Sequence, residues 1–215
     1  MFKVGKILSY LKKKQVDKVT MIGKVTKELL YAHKAMPDFK TMQILMSLPD
    51  RKDDTVMQAL VEAVESTGAT VVDQTALIRP LMPEKGTLTK REPTDDEKRD
   101  MEFGFRMAKE IGRLDVGQTV VVKNLAVMAL EAIEGTDACI RRGGQLARGG
   151  AVVAKVAKPQ QDKRFDVPAV GRTTIESMIE AGAKALVIEA GQTLLVEKTQ
   201  VLQLADANGI TIVAM

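Results

Sequence analysis

"GGAVVAKVAKPQQDKRFDVPAVGRTTIESMIEAGAKALVIEAG", residues 149–191, decides how this chain is read. Two apolar runs, "GGAVVAKVA" and "ALVIEAG", have the length and composition of buried strands. Between them "TTIESMIEAG" places apolar residues at helical spacing, and Thr173 with Glu176 three positions on has the form of a capping box. Strand, loop, helix and strand in that order make an α/β layer. The loop is the anomaly. "KPQQDKRFDVPAVG", residues 158–171, holds two acids, three cations, two prolines and one aromatic side chain. A plain connection needs no such density of charge.

Working outward, "TLLVE", "TQVLQLADANG" and "ITIVA" predict a strand, a helix and a final strand. Upstream, "TVVVKN" and "AVMALEAI" read as paired strands and "TDACIRRGGQLAR" as a helix. Thr94 with Glu97 forms another capping box at the start of a long helix. Residues 94–215 are therefore expected to be an α/β domain with a mixed sheet. The segment before it carries prolines at 80, 83 and 93, and 81–93 is read as a linker. Residues 1–80 give helix, strand, helix, helix and strand, with Gly68 closing the last helix, which is a partial α/β domain.

Composition narrows the function classes. The chain has 215 residues, 45% hydrophobic and only 3% aromatic, so aliphatic side chains and methionine must fill the core. A single cysteine, Cys139, excludes an internal disulfide framework and suits a reducing compartment. The first residues are too charged for a secretory signal, and no apolar run reaches the roughly 20 residues of a spanning helix. A net charge of +4 and a pI of 9.1 fit an anionic partner such as a nucleotide, a phosphate or a membrane surface. Nucleic acid is not expected, because so few aromatics leave little for bases to stack on.

Three polar clusters fall at strand ends, where α/β folds place ligands. In "EAIEGTDA" a strand turns through Gly135 into a helix. Glu131, Glu134, Thr136 and Asp137 lie there, and either Thr136 or Asp137 is also suited to cap that helix. The loop supplies Asp162 and Asp166, hard-oxygen ligands suited to Mg²⁺, with Arg164 able to clamp a phosphate and Lys155 and Lys158 nearby. In "VIEAGQTLL", Glu189 ends an apolar strand and needs a partner or a cation if buried. The alternative for each cluster is structural: surface ion pairs, a helix cap, a solvated strand end. One histidine, His33, lies far from all three, which excludes a Ser-His-Asp triad and a His-rich dimetal site; a surface or packing role is expected for it. No Walker-A or dinucleotide fingerprint is present. Cys139 sits on an amphipathic helix and is expected to pack. What survives is phosphate chemistry carried by carboxylates, cations and Mg²⁺.

The motifs "EGTDA", "KPxQDxRFDxPxxG" and "EAG", in this order, resemble those of the bacterial UDP-2,3-diacylglucosamine pyrophosphatases of lipid A synthesis, the type unrelated to calcineurin-like phosphoesterases. The resemblance runs from Lys3 onward. It implies two domains, an incomplete Rossmann-like N-terminal one and a C-terminal catalytic one, with the lipid held between them. It implies hydrolysis of UDP-2,3-diacylglucosamine to 2,3-diacylglucosamine 1-phosphate and UMP with a divalent metal, typically Mg²⁺. Carried over, Asp166 is the favoured essential carboxylate and Asp162 the second choice, with Arg164 beside them. Lys155 and Lys158 balance phosphate charge, and Gln118, Thr136 and Gln161 hydrogen-bond substrate. Asp137, Glu134 and Glu189 join Asp166 as candidate metal ligands. The lipid substrate implies a cytoplasmic enzyme in peripheral contact with the inner membrane, and a homo-oligomer is a further expectation. One departure stands out: the chain opens at what corresponds to the family's next helix, so the resemblance implies a shortened N-terminal domain with an exposed sheet edge. Its lysine-rich first helix has two readings, one resting on an anionic membrane and the other packing on its own sheet. A non-catalytic binder of nucleotide sugar or acyl lipid is the main rival, and a basic nucleic-acid-associated protein the second.

Overall fold

The structure is a computed structural model that describes residues 3–22, 37–50 and 53–215. It divides into two compact units, Met1–Leu77 with Asp162–Asp166, and Ile78–Gln161 with Val167–Met215. His33 lies outside the described residues.

In the first unit, helix α1 (Val4–Lys13) precedes strand β1 (Lys18–Val19). Helices α2 (Phe39–Ser47) and α3 (Asp53–Glu65) follow, then β2 (Thr70–Val71). The two strands pair in parallel, Lys18 with Thr70 and Val19 with Val71. Leu8 and Leu11 of α1 pack against Val61, Val64, Ala69 and Val71, so the spacing of three that predicted the helix is also what buries one face of it. Asp38 caps α2, its carboxylate accepting from the Thr41 N–H at 2.8 Å. The Thr41 hydroxyl in turn accepts from the Val4 N–H at 3.1 Å and ties α2 to the start of α1.

The second unit is built on a mixed six-stranded sheet. Its strands are β3 (Gly86–Thr87), β4 (Thr119–Lys123), β5 (Ala126–Leu130), β6 (Val152–Lys155), β8 (Ala185–Ile188) and β10 (Thr211–Ala214). They lie in the order β3-β10-β8-β6-β4-β5. β6, β8 and β10 are parallel, and β3, β4 and β5 join antiparallel. A small parallel pair, β7 (Ala169–Val170) with β9 (Leu194–Leu195), stands apart from it. Side chains alternate between the two faces with the strand period of two. Val120, Val122, Val152, Ala154, Ala185 and Val187 pack under Met101, Ala108 and Ile111 of helix α4 (Asp95–Arg113). Val121, Val153, Leu186, Ile188 and Ile212 meet helices α5 (Thr136–Ala147), α6 (Arg172–Glu180) and α7 (Lys198–Ala207) on the other face. Each fully buried Val, Leu or Ile contributes roughly 1.5–3 kcal/mol. A sheet covered on both faces explains why its strands read as continuous apolar runs.

Three local expectations change. The 81–93 stretch is not a free connector. Gly86–Thr87 pairs with β10, and the Arg91 guanidinium donates to Glu97 at 2.9 Å, to the Gly209 carbonyl at 3.0 Å and to the Lys184 carbonyl at 2.7 Å. The Thr94–Glu97 capping box is present, but the Thr173–Glu176 one is not. Helix α6 begins two positions earlier at its N-cap Gly171, which leaves Thr173 inside the helix, and Glu176 pairs with Arg172 at 2.7 Å instead. Neither Thr136 nor Asp137 caps α5; its N-cap is Gly135, at φ 81°, without a side-chain cap.

Helix α5 reaches its neighbours through two glycines. A Cβ on Gly143 would lie 2.5 Å from Val121, and one on Gly144 would lie 2.4 Å from the Ala181 Cβ and 2.5 Å from the Ala181 carbonyl oxygen. Alanine would gain about 1 kcal/mol of helix propensity at either site. The overlap outweighs that gain, because core overpacking costs about 1–3 kcal/mol and rigid backbone cannot yield. Gly144→Ala is expected to lower unfolding stability by about 2 kcal/mol in urea titration. Gly143→Ala is expected to lose a similar amount, since the Val121 Cβ that it meets is fixed by the strand backbone.

Candidate active site

The strand register lines one edge of the second unit with chemistry. Thr119 pairs with Lys155, Lys155 with Ile188 and Ile188 with Ala214, so the carboxyl ends of the parallel strands share an edge with the start of β4. This is where α/β sheets place ligands. Gly117 allows the chain to lie directly over Glu131, whose carbonyl oxygen would be 2.2 Å from a Cβ there. The Glu131 carboxylate accepts from the Gln118 N–H at 3.3 Å and from the Thr136 hydroxyl at 2.9 Å. The same hydroxyl accepts from Lys155 Nζ at 3.0 Å. Glu131 and Lys155 are 8% and 7% exposed. Two buried charges are therefore joined through one hydroxyl, which compensates part of their desolvation. Thr136, Lys155 and Gln118, predicted as substrate-binding residues, come together here. Glu131 holds them, and its roles as partner to both Gln118 and Thr136 are new from the structure.

A second group adjoins the ends of β6 and β8. Lys109 Nζ of α4 donates to both Glu189 oxygens, at 2.9 and 2.8 Å, and to the Ala157 carbonyl at 2.9 Å, while the Ala157 N–H donates to Glu189 at 2.9 Å. Lys158 Nζ pairs with Asp115 at 2.6 Å, and the Gln161 side chain accepts from the Lys158 N–H at 2.7 Å. Gln118 Oε1 and Gln161 Nε2 are buried and have no hydrogen-bond partner among the described residues. An unpartnered buried amide atom costs roughly 1–3 kcal/mol, a cost that a ligand's polar groups would relieve. That observation sets these two glutamines apart from ordinary loop residues.

The core of the charged loop belongs to the first unit. Arg164 Nη2 donates to Asp162 at 2.6 Å, its Nε lies 3.0 and 3.1 Å from the two Asp162 oxygens, and its N–H donates to Asp162 at 3.0 Å. Arg164 also reaches Gln58 at 2.9 Å. Phe165, the loop's one aromatic residue, packs with Val61, Val64, Ala69 and Val71. The Asp166 N–H closes the turn on the Asp162 carbonyl at 2.9 Å. Part of the loop's charge is thus structural, as Asp162 and Arg164 clasp each other. The hydrogen bond from the Arg164 side chain, aided by its N–H, holds the Asp162 carboxyl below its ordinary value against the opposing effect of burial. A depressed folded pKa stabilises above the unfolded value, about 3.9, and that stability is lost as pH falls through the folded value. Thermal stability is expected to fall less steeply with acid below about pH 4 in Asp162→Asn than in the unaltered chain.

The three candidate metal ligands of the second unit do not form one group. Glu134 pairs with Arg142, whose hydrogen bond lowers its pKa. Asp137 lies in the first turn of α5. Glu189 is clasped by Lys109, and Asp166 belongs to the first unit. Among the described residues no three His, Cys, Asp or Glu side chains come together to hold a metal ion, so the residues do not fit a preformed carboxylate cage. Cys139 is fully buried, and burial pushes its thiol up to about 12; it packs in the core, as expected. No helix among the described residues is long and apolar enough to cross a membrane. Lys109 and Asp115 were not anticipated: they precede their partners by 80 and 43 positions, and no local pattern links them.

Comparison with known proteins matches two family domains along the chain. The LpxI N-terminal domain matches residues 1–81 and the LpxI C-terminal domain residues 84–213. UDP-2,3-diacylglucosamine pyrophosphatase LpxI of Caulobacter vibrioides is 33% identical over 222 aligned residues, covering 98% of this chain and 79% of that protein. Bifunctional purine biosynthesis protein PurH of Bradyrhizobium diazoefficiens is 27% identical over 226 residues, but the chain spans only 40% of its length. Two domain matches in sequence order, together with one-third identity along nearly the whole chain, mean that the chain belongs to the LpxI family.

Proposed function

We propose that this chain hydrolyses the pyrophosphate of UDP-2,3-diacylglucosamine, releasing UMP and 2,3-diacylglucosamine 1-phosphate in lipid A biosynthesis. The observation that carries the reading is the near full-length likeness to a UDP-2,3-diacylglucosamine pyrophosphatase. The buried cation Lys155 and the two unpartnered glutamine amides at the strand ends support it.

Each residue has a stated task in this reading. Lys155, held by Thr136, offsets phosphate charge in a low-dielectric setting where that attraction is strong. Gln118 and Gln161 supply an acceptor and a donor to the substrate. Asp166 takes a proton from the attacking water as the phosphoanhydride bond breaks to give UMP and 2,3-diacylglucosamine 1-phosphate. Arg164 keeps Asp162 and the turn in place. Mg²⁺, when bound, would neutralise charge on the pyrophosphate; such sites commonly use one or two carboxylates with substrate phosphates rather than an all-protein cage. The enzyme acts at the inner face of the cytoplasmic membrane, as its lipid substrate requires.

The test is release of UMP from UDP-2,3-diacylglucosamine, followed by chromatography with Mg²⁺ and with EDTA. UMP is expected with Mg²⁺ and a loss of at least a hundredfold with EDTA. Saturable substrate binding with no UMP under either condition would overturn the reading in favour of a binding protein.

A further inference from the structure

We propose that the outer face of α1 is a docking surface for an anionic lipid bilayer. The inference rests on the peripheral membrane contact proposed above and goes past it by naming the face. Helix α1 carries its residues at 100° intervals. Leu8 and Leu11 turn inward to the unit's core, and Val4 is buried beside them. Away from that face Lys13, Lys6, Tyr10, Lys3 and Lys14 fall in one stripe by their spacing of three and four, with Ile7 at its edge next to Leu11, and all are exposed. Along the axis Ile7 and Tyr10, 48% and 60% exposed, come between a pair of lysines at each end. No acid occurs before Asp17, so nothing on the helix neutralises those lysines.

A helix that merely packs on its own unit has no need of a largely exposed tyrosyl group inside its lysine stripe, or of a half-exposed Ile7 along the edge of that stripe. The arrangement is that of a helix lying in a membrane interface: apolar and tyrosyl groups sink between headgroups, and flexible lysines reach lipid phosphates on either side. The neighbouring α2 adds a second exposed apolar stripe, Phe39 at 86%, Met42 at 48% and Met46 at 81%, spaced three and four apart. A nucleic acid would use the lysines but gains little from Ile7 or from these methionines, so the apolar component selects the bilayer.

The test is sedimentation of the full chain with vesicles of phosphatidylcholine alone and with about a third phosphatidylglycerol, at low and raised salt. The unaltered chain is expected to bind the anionic vesicles and to release as salt rises. Each surface lysine is expected to contribute about fivefold. Replacing all four (Lys3→Gln, Lys6→Gln, Lys13→Gln, Lys14→Gln) is therefore expected to cost several hundredfold in partitioning. The pair Ile7→Ser with Tyr10→Ser is expected to cost roughly tenfold. Both variants should melt and release UMP from detergent-dispersed substrate as the unaltered chain does, which keeps this test separate from that of hydrolysis. Unaltered vesicle binding by either variant would overturn the assignment of this face. Failure of the unaltered chain to bind vesicles would overturn both the face and the peripheral contact and leave the hydrolase reading standing. Binding of single-stranded polynucleotide that needs the lysines but not Ile7 or Tyr10, with no vesicle binding, would replace the bilayer by nucleic acid.

Discussion

Asp166→Asn is expected to release UMP about a thousandfold more slowly than the unaltered chain, and Asp162→Asn to lose no more than about tenfold. A positioned general base contributes roughly 10²–10⁴, and the two loop carboxylates are unequal candidates for that task. Both oxygens of Asp162 are engaged by Arg164, and the pKa of its carboxyl is lowered. A carboxylate so stabilised is a weaker base, and its proton acceptors already face a cation. Asp162 also organises the turn through its carbonyl, which receives the N–H groups of Phe165 and Asp166; asparagine leaves that backbone contact intact. Asp166 emerges from this turn with its backbone fixed and with Phe165 beside it packed in the first unit's core. The measurement is kcat and KM for both variants under saturating Mg²⁺, with melting curves to verify folding. Equal losses in the two, or full activity in Asp166→Asn, would remove Asp166 from the chemistry.

The fold was legible where the signal is local and repeated. Val120, Val121 and Val122 each take opposite faces of a sheet covered on both sides, and a run of that kind reads as a buried strand without further help. Thr94 and Glu97 announced the start of α4 because both halves of a capping box lie within four residues. The same pattern at Thr173 and Glu176 misled. The helix start is set by Gly171, directly after β7 pairs with β9, and that pairing joins residues 25 apart. The 81–93 stretch differs for a related reason: Pro83 and Pro93 within it and Pro80 just before it look like a linker, while the contacts of Arg91 that anchor it reach Lys184 and Gly209, more than 90 positions away. Within the site, polar residues at strand ends identified Thr136 and Lys155. Sequence could not say that Asp162 and Arg164 answer each other, because a clasped pair and a catalytic pair look alike until the distances are known.

Lys109→Met is expected to destabilise the chain by about 3 kcal/mol, Glu189→Gln by about half as much, and the double variant by clearly less than their sum. The Lys109–Glu189 pair is the tie among the ends of β6, β8 and α4, with one ammonium reaching two carboxylate oxygens and the Ala157 carbonyl. Its side chains are 28% and 19% exposed. Breaking a fully buried pair by removing one partner costs about 3–5 kcal/mol, chiefly because a charge is left without compensation. The partial exposure argues for the low end of that range. Methionine at 109 keeps the aliphatic packing but strands the Glu189 carboxylate with one remaining donor, the Ala157 N–H. Glutamine at 189 removes the charge and retains an acceptor, and Lys109 keeps Ala157, so less is lost. In the double variant no charge is stranded, which is why the two effects are not additive. Urea unfolding of the four proteins gives the coupling energy directly. Single losses within about 0.5 kcal/mol would place the pair with ordinary surface bridges. The same cycle bears on function, because Ala157 lies between Lys155 and Lys158: if Lys109 holds that segment in register, kcat/KM for UMP release should fall in Lys109→Met and be restored in part by Lys109→Arg, which keeps the charge.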